Sequence, residues 1–267
     1  TEKNVTSKVH HSLLRSLVDK LNSIEAQVRV AQPTTGRMVL RHYDVLHHPD
    51  FPEWEEAMCE LQKIDLGRMD ETNRMVFGIN LYNLMIRYGH LKLGFPDTVE
   101  KRQQFLSQTK MLLGGNSSNN SNNSNSTNHH DTLLSFYDLE YGILRANQKP
   151  GHYSSVAPFA KKDPRLGLAV SRVDSRVHFV LQRGGGGRKL SLDDNSIIHD
   201  NNNNNNNTSS AASGTAAGGS SSSSYCSCQC CPVDFFTVDK LEEDLQYVTE
   251  AFCERDENVM LDARGNR

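Results

Sequence analysis

Four of the six cysteines fall within Cys226–Cys231, and a thiol attacks as its thiolate rather than as the neutral group. A histidine can take that proton, a carboxylate can orient the imidazole, and a side-chain amide can donate to a developing oxyanion. The chain offers a residue for each part: Cys231 as nucleophile, His178 as base, Glu140 or Asp138 as the orienting carboxylate, and Asn80 or Asn83 as the amide. Such a set serves hydrolysis, group transfer or thiol exchange. Each residue also has an ordinary structural role. His178 within an apolar run fits a core histidine bonded to a backbone carbonyl. Glu140 and Arg145, five apart on a short helix, fit an internal ion pair that Arg74 or Arg176 could join. Asn80, Asn83, Arg145 and Arg176 together suggest a polar cavity, because a buried amide left unpaired costs about 1–3 kcal/mol.

Other chemistries find less support. Zinc wants four tetrahedral ligands, usually from two spaced pairs, whereas Cys226, Cys228, Cys230 and Cys231 are adjacent or alternate. His129-His130 lies in a low-complexity tract. Cys228-Gln229-Cys230-Cys231 has Cys-x-x-Cys spacing but no thioredoxin-like strand before it. The Gly184–Gly187 run lacks the lysine and helix start of a phosphate loop and reads as linker. No dinucleotide fingerprint or HExxH is present, so neither a cofactor nor a metal is expected. Asp163-Pro164-Arg165 and Asp174-Ser175-Arg176 look like paired turn motifs.

These residues must be positioned by elements that hydropathy and spacing outline. Val5, Val9, Leu13, Leu17, Leu21, Ile24 and Val28 recur at helical spacing, stopped at Gln32-Pro33. With only a few heptads, this helix suits a lid on the core better than a coiled coil. Glu53–Ile64 is a short helix holding the lone Trp54. Glu71–Leu93 is apolar nearly all round and predicts a central buried helix. Asp97 can cap a helix running to about Leu112, and Leu133–Arg145 resumes helical patterning, with Ser135 and Asp138 as its cap. Leu166, Leu168 and Val170 predict an extended segment, and Arg176–Leu181 is the clearest β-strand. Thr237–Arg255 predicts an amphipathic helix, and Asn258–Leu261 a further strand.

Composition bounds the rest. The chain has 267 residues, 36% hydrophobic and 23% charged. The apolar deficit lies in two tracts, at about 116–130 and 183–225, that read as disordered insertions. About 210 residues remain, enough for a single core. The expected architecture is therefore a helix-rich α+β single domain with a small β-sheet. Residues 1–35 lead into it as an amphipathic helix, and 36–262 form the domain. A net charge of −3 without basic clusters argues against nucleic acid as a partner. No apolar run reaches the roughly 20 residues of a membrane span. The sequence opens at Thr1, which reads as a fragment or processed product. The clustered cysteines suit a reducing, cytoplasmic compartment. Sequons such as Asn4-Val5-Thr6 and Asn125-Ser126-Thr127 matter only in a secretory setting.

Three blocks, taken in order, carry a family resemblance. They are Asn73-Arg74-Met75-Val76-Phe77-Gly78-Ile79-Asn80-Leu81-Tyr82-Asn83, then Tyr137-Asp138-Leu139-Glu140-Tyr141-Gly142-Ile143-Leu144-Arg145, then Asp174-Ser175-Arg176-Val177-His178-Phe179-Val180-Leu181, followed later by Cys231-Pro232. They resemble the domain of unknown function 547 family, with its patterns AFWINLYNAL, IEHGILR and DPRVHFALNCGAxSCP, over most of residues 40–260. The resemblance implies that residues 183–225 are inserted between the family's strand and its cysteine loop, where Cys226 and Cys231 keep the family's spacing. It would otherwise bring His178 within a few residues of that loop. Two departures stand out: Ser227-Cys228 replaces a Gly-Ala pair, and Tyr141 replaces a histidine. The family context implies the C-terminal module of a larger intracellular protein, sometimes beside DEP or glutaredoxin-like domains. Two classes of function follow. One is an interaction or scaffolding module with a protein partner or fused domains; the other is a thiol-dependent enzyme using Cys231 and His178.

Overall fold

The structure, a computed structural model, describes residues 2–31, 38–114, 132–151, 154–182, 224–225 and 235–254. Helix α1 (Glu2–Val28) leads into β1 (Val30–Ala31), β2 (Met38–Arg41), α2 (His42–Leu46) and α3 (Phe51–Met58). Two 3-10 turns, Cys59–Lys63 and Leu66–Arg68, precede α4 (Glu71–Leu93) and α5 (Val99–Gln108). The hairpin β3 (Lys110–Leu113) and β4 (Thr132–Ser135) is followed by a π-helix, Asp138–Leu144, and a 3-10 turn, Pro164–Leu168. The short α6 (Val177–Val180), β5 (Ser224–Tyr225) and α7 (Leu241–Cys253) complete the described elements. The fold is α+β and mostly helical, with its strands confined to two small antiparallel sheets, β1-β2-β5 and β3-β4. In the second, Lys110 faces Ser135 and Leu113 faces Thr132.

Helix α4 runs through the centre. Val76, Phe77, Ile79, Leu81 and Tyr82 are fully buried, on faces that point in several directions. Asp70 caps it by accepting from the Asn73 N–H at 2.9 Å, and Gly94 at φ 79° ends it. Helix α1 lies on this core as a lid, burying Leu14, Leu17, Val18, Leu21 and Ile24. The indole of Trp54 on α3 is fully buried and donates to the Leu17 carbonyl at 2.8 Å, tying α3 to α1.

Several expected elements take other forms. The predicted strand Arg176–Leu181 is instead the helical turn α6. Its β-prone residues are overridden locally. Asp174 accepts from the Arg176 N–H at 2.9 Å, and i→i+3 bonds from Val177, His178 and Phe179 wind the backbone. Burial is still satisfied, because Val177, Val180 and Leu181 all reach the core. The extended segment expected at 166–170 is the 3-10 turn Pro164–Leu168, started by Asp163 in the same way. The helix predicted over Leu133–Arg145 splits into β4 and the π-helix. At that junction Ser135 and Asp138 form a reciprocal box: the Ser135 N–H donates to Asp138 at 2.9 Å, and the Asp138 N–H to Ser135 Oγ at 3.0 Å. Thr98, rather than Asp97, caps α5, which ends at Gln108 because 110–113 enter the hairpin. The strand expected at Asn258–Leu261 lies outside the described residues.

Three asparagines close the fold by imitating a β-ladder. Asn80 donates to the Phe236 carbonyl at 2.8 Å and accepts its N–H at 2.9 Å. Asn83 donates to the Val180 carbonyl at 3.0 Å and accepts the Gln182 N–H at 2.8 Å. Asn147, itself at φ 55°, does the same to both backbone groups of Phe159 at 2.9 Å. Phe159 in turn rests on Gly142, where an added Cβ would fall 2.5 Å from the ring.

Asn80→Ala leaves both backbone groups of the buried Phe236 unpaired and should cost about 3 kcal/mol, read as a lower denaturant midpoint. Gly142→Ala should cost about 1–3 kcal/mol through overpacking against Phe159. A Gly142→Ala, Phe159→Leu double variant should recover part of that loss in the same measurement.

Candidate functional site

The π-helix Asp138–Leu144 carries the most enclosed carboxylate among the described residues. One residue wider per turn than an α-helix, a π-turn re-aims its side chains, and such turns recur at functional sites. Glu140 is 2% exposed. The Tyr82 hydroxyl, from α4, donates to it at 3.2 Å, and Arg145 Nη1 lies 3.7 Å from its other oxygen. Leu144 packs over Gly78 of α4, where an added Cβ would meet it at 2.9 Å, so the two helices approach closely enough for that hydroxyl to reach.

Around this group the side chains are stacked. Tyr82 meets Phe136 edge-on at 5.5 Å. The Arg145 guanidinium lies 4.9 Å over the Tyr141 ring, and Tyr141 lies 5.1 Å from Tyr137. Tyr141 is thus buried between a cation and an aromatic ring. Tyr137 also lines a shallow groove of about 340 Å³ with Gln103, Ser107, Val156 and Pro158.

His178 sits on α6, half-buried, with its ring edge-on to Phe179 at 5.7 Å. Phe179 continues the contact to Phe252 of α7 at 4.9 Å. Helix α4 therefore holds Glu140 through Tyr82 and holds α6, which carries His178, through the next residue, Asn83. Cys231, with the rest of Cys226–Cys231, lies outside the described residues. The amides of Asn80 and Asn83 are both bonded to backbone rather than turned to open space.

Arg176 is bound at both ends. It grips Asp174 at 2.6 Å and reaches α7 through Glu242 at 2.7 Å. The paired guanidinium holds both carboxyls below their usual range. Arg165 repeats the arrangement, gripping Asp163 at 2.8 Å and reaching the Leu133 carbonyl at 3.1 Å. Each Asp-x-Arg is a turn that also ties down a distant element. Among the described residues, no three His, Cys, Asp or Glu side chains are grouped as metal ligands would be.

Sequence reasoning missed Tyr82 and Asn147, and it singled out Tyr141 without its stack under Arg145. Tyr82 is hidden in an apolar run, and the Tyr141–Arg145 contact joins residues four apart on a helix. Asn147 stands in a turn-rich stretch before Lys149-Pro150-Gly151, the one signal that could have marked it.

No helix of the described residues is long and apolar enough to cross a membrane. No curated protein and no solved structure matches the chain. A family model matches residues 66–188, an interval that contains Glu140, His178 and all three sequence blocks and ends before Cys226–Pro232. The chain therefore contains a DUF547 domain, the family described as protein of unknown function.

Proposed function

We propose that this chain acts as an interaction or scaffolding module within a larger intracellular protein. One observation carries the reading: the polar side chains that could have served chemistry are engaged in holding the fold. Asn80 and Asn83 bond to backbone, Arg176 joins α6 to α7, and Glu140 lies between Tyr82 and Arg145. Cys59 and Cys253 are free, exposed thiols, which suits a reducing compartment.

The second reading, a thiol-dependent enzyme, draws on one feature. Adjacent residues of α4 hold the buried Glu140 and the turn that bears His178. In that reading Cys231 Sγ gives its proton to His178 and attacks an acyl carbon or a disulfide sulfur; the bond to the leaving alcohol, amine or thiol breaks, that group takes the proton back from His178, and Glu140 orients the imidazole.

Thiol alkylation separates the two, with Cys59 and Cys253 as internal references. For a module, Cys231 in the full chain is alkylated at pH 6 no faster than the two reference cysteines, and His178→Ala changes nothing. Alkylation of Cys231 more than tenfold faster than the references, lost in His178→Ala, overturns the module reading. Glu140→Gln tests the carboxylate separately. A structural Glu140 loses a charge-assisted bond and leaves Arg145 unpaired, so the variant should be about 1–3 kcal/mol less stable. A rise in stability on the same substitution would mark a group held at a cost for catalysis.

A further inference from the structure

The DUF547 match begins at Leu66, whereas the fold begins with α1. Residues 2–58 therefore dock onto the matched segment along a seam, and four histidines meet there. His10 and His11 of α1 face the start of the matched segment. His10 lies near Asp65 and Arg68; His11 bonds to Asn73, lies near Asp70 and meets the Phe77 ring edge-on at 5.8 Å. His10 Nδ1 and His11 Nε2 are buried without a hydrogen-bond partner. At the other end of α4, His90 is stacked on Phe105 at 5.0 Å and tilted against Phe95 at 4.5 Å. His42 of α2 faces it across the seam, and Arg102 of α5 faces it from within the domain.

We propose that this seam is an acid-sensitive latch, closed while its four histidines are neutral and opened when they take protons. A proton on His90 meets the positive Arg102 and, once His42 is also protonated, a second cation. A proton on His10 or His11 is partly balanced by Asp65 or Asp70, and Arg68 and the other histidine oppose it. Burial holds all four below the usual histidine value, His90 at about 4. The sign follows. Each contributes stability that is fully present above pH 6.5 and is lost as pH falls through that value toward the folded one. For His90 alone, moving from pH 7.5 to pH 5 favours the open form by about thirtyfold. Two ion pairs also cross the seam, Arg87–Glu25 and Lys92–Glu55, and hydrogen bonds from Lys92 and Tyr88 hold the Glu55 carboxyl below its usual range. Opening would free the apolar faces of α1 and α3 for a partner.

Trp54, the lone tryptophan, reports the seam through its edge contact with Tyr88 of α4 at 5.5 Å, while its bond to Leu17 fixes it on the docked side. In the full chain titrated from pH 8 to 4, its emission should shift to the red with a midpoint between 6.5 and 4. Peptide-resolved hydrogen exchange at pH 5, corrected for intrinsic rates, should show protection lost in 2–58 and retained in 110–113 and 132–144. His90→Phe should move the midpoint down by half a pH unit or more. His11→Gln, at the opposite end of the seam, serves as the second variant should His90→Phe fail to fold. The latch is overturned by a flat Trp54 response down to pH 4, by loss of protection in 132–144 together with 2–58, or by a midpoint unchanged in every folded variant.

Discussion

An asparagine side chain carries the donor and acceptor of a peptide group, and α4 uses that equivalence twice. Asn80 and Asn83 stand three residues apart, so they face the same side of the helix and are separated by about 5 Å of rise. One grips Phe236 and the other grips Val180 and Gln182. The chain therefore leaves α4 at Gln182 and returns to it at Phe236 almost in place. Everything C-terminal depends on this: Phe236 is fully buried, and Leu245 and Val248 of α7 follow it into the core. Fixing both ends also explains how so long a low-complexity stretch can sit between them. Closing a connection lengthened fivefold costs only about 1.4 kcal/mol more, comparable with one such amide pair.

The elements legible in the sequence are those whose own periodicity decides their form. Helix α4 spans Glu71–Leu93, the predicted bounds, because an apolar surface on every side leaves little alternative to a central helix. α1 and α7 were legible for the same reason. Arg176–Leu181 was not, since Val-His-Phe-Val has the composition of a strand and only the preceding Asp-x-Arg turn winds it into α6. Leu133–Arg145 failed differently. Its Ser135–Asp138 cap is real, but the residues before the cap belong to a hairpin whose other strand lies across an insertion. Pairing at that distance leaves no local periodic mark. The candidate site was legible in its residue types alone. That Asn80 and Asn83 would need partners followed from burial; that the partners would be backbone did not.

Glu140 illustrates how a residue's surroundings narrow its role. A carboxylate so deeply buried must be neutralised or paired, and the π-helix brings it both a hydroxyl and a guanidinium. Tyr141 bears on this group, because its ring takes a place between Tyr137 and Arg145. The guanidinium lies over that ring and beside the carboxylate at once. Glu140 thus belongs to a stacked structural assembly rather than to an open cleft.

The matched interval, residues 66–188, does not close its own core. Its central helix is buried all round because α1 and α3 cover one side and Phe236 with α7 covers another. Trp54, Leu14, Leu17, Leu21 and Ile24, all outside the interval, are among its best-buried side chains. Removing them would expose a continuous apolar face on α4, and large faces of that kind do not persist on soluble domains without a cover. The cover here is held by means of two kinds. The Asn80 amide and the Asp174-x-Arg176 fork join the C-terminal piece; the four histidines and the pairs Arg87–Glu25 and Lys92–Glu55 join the N-terminal one. The first joint consists of short, directional bonds to backbone and to a paired guanidinium. The second includes histidines, the side chains whose ordinary charge change lies nearest neutral pH, so the two covers are unequal in how readily acid can lift them.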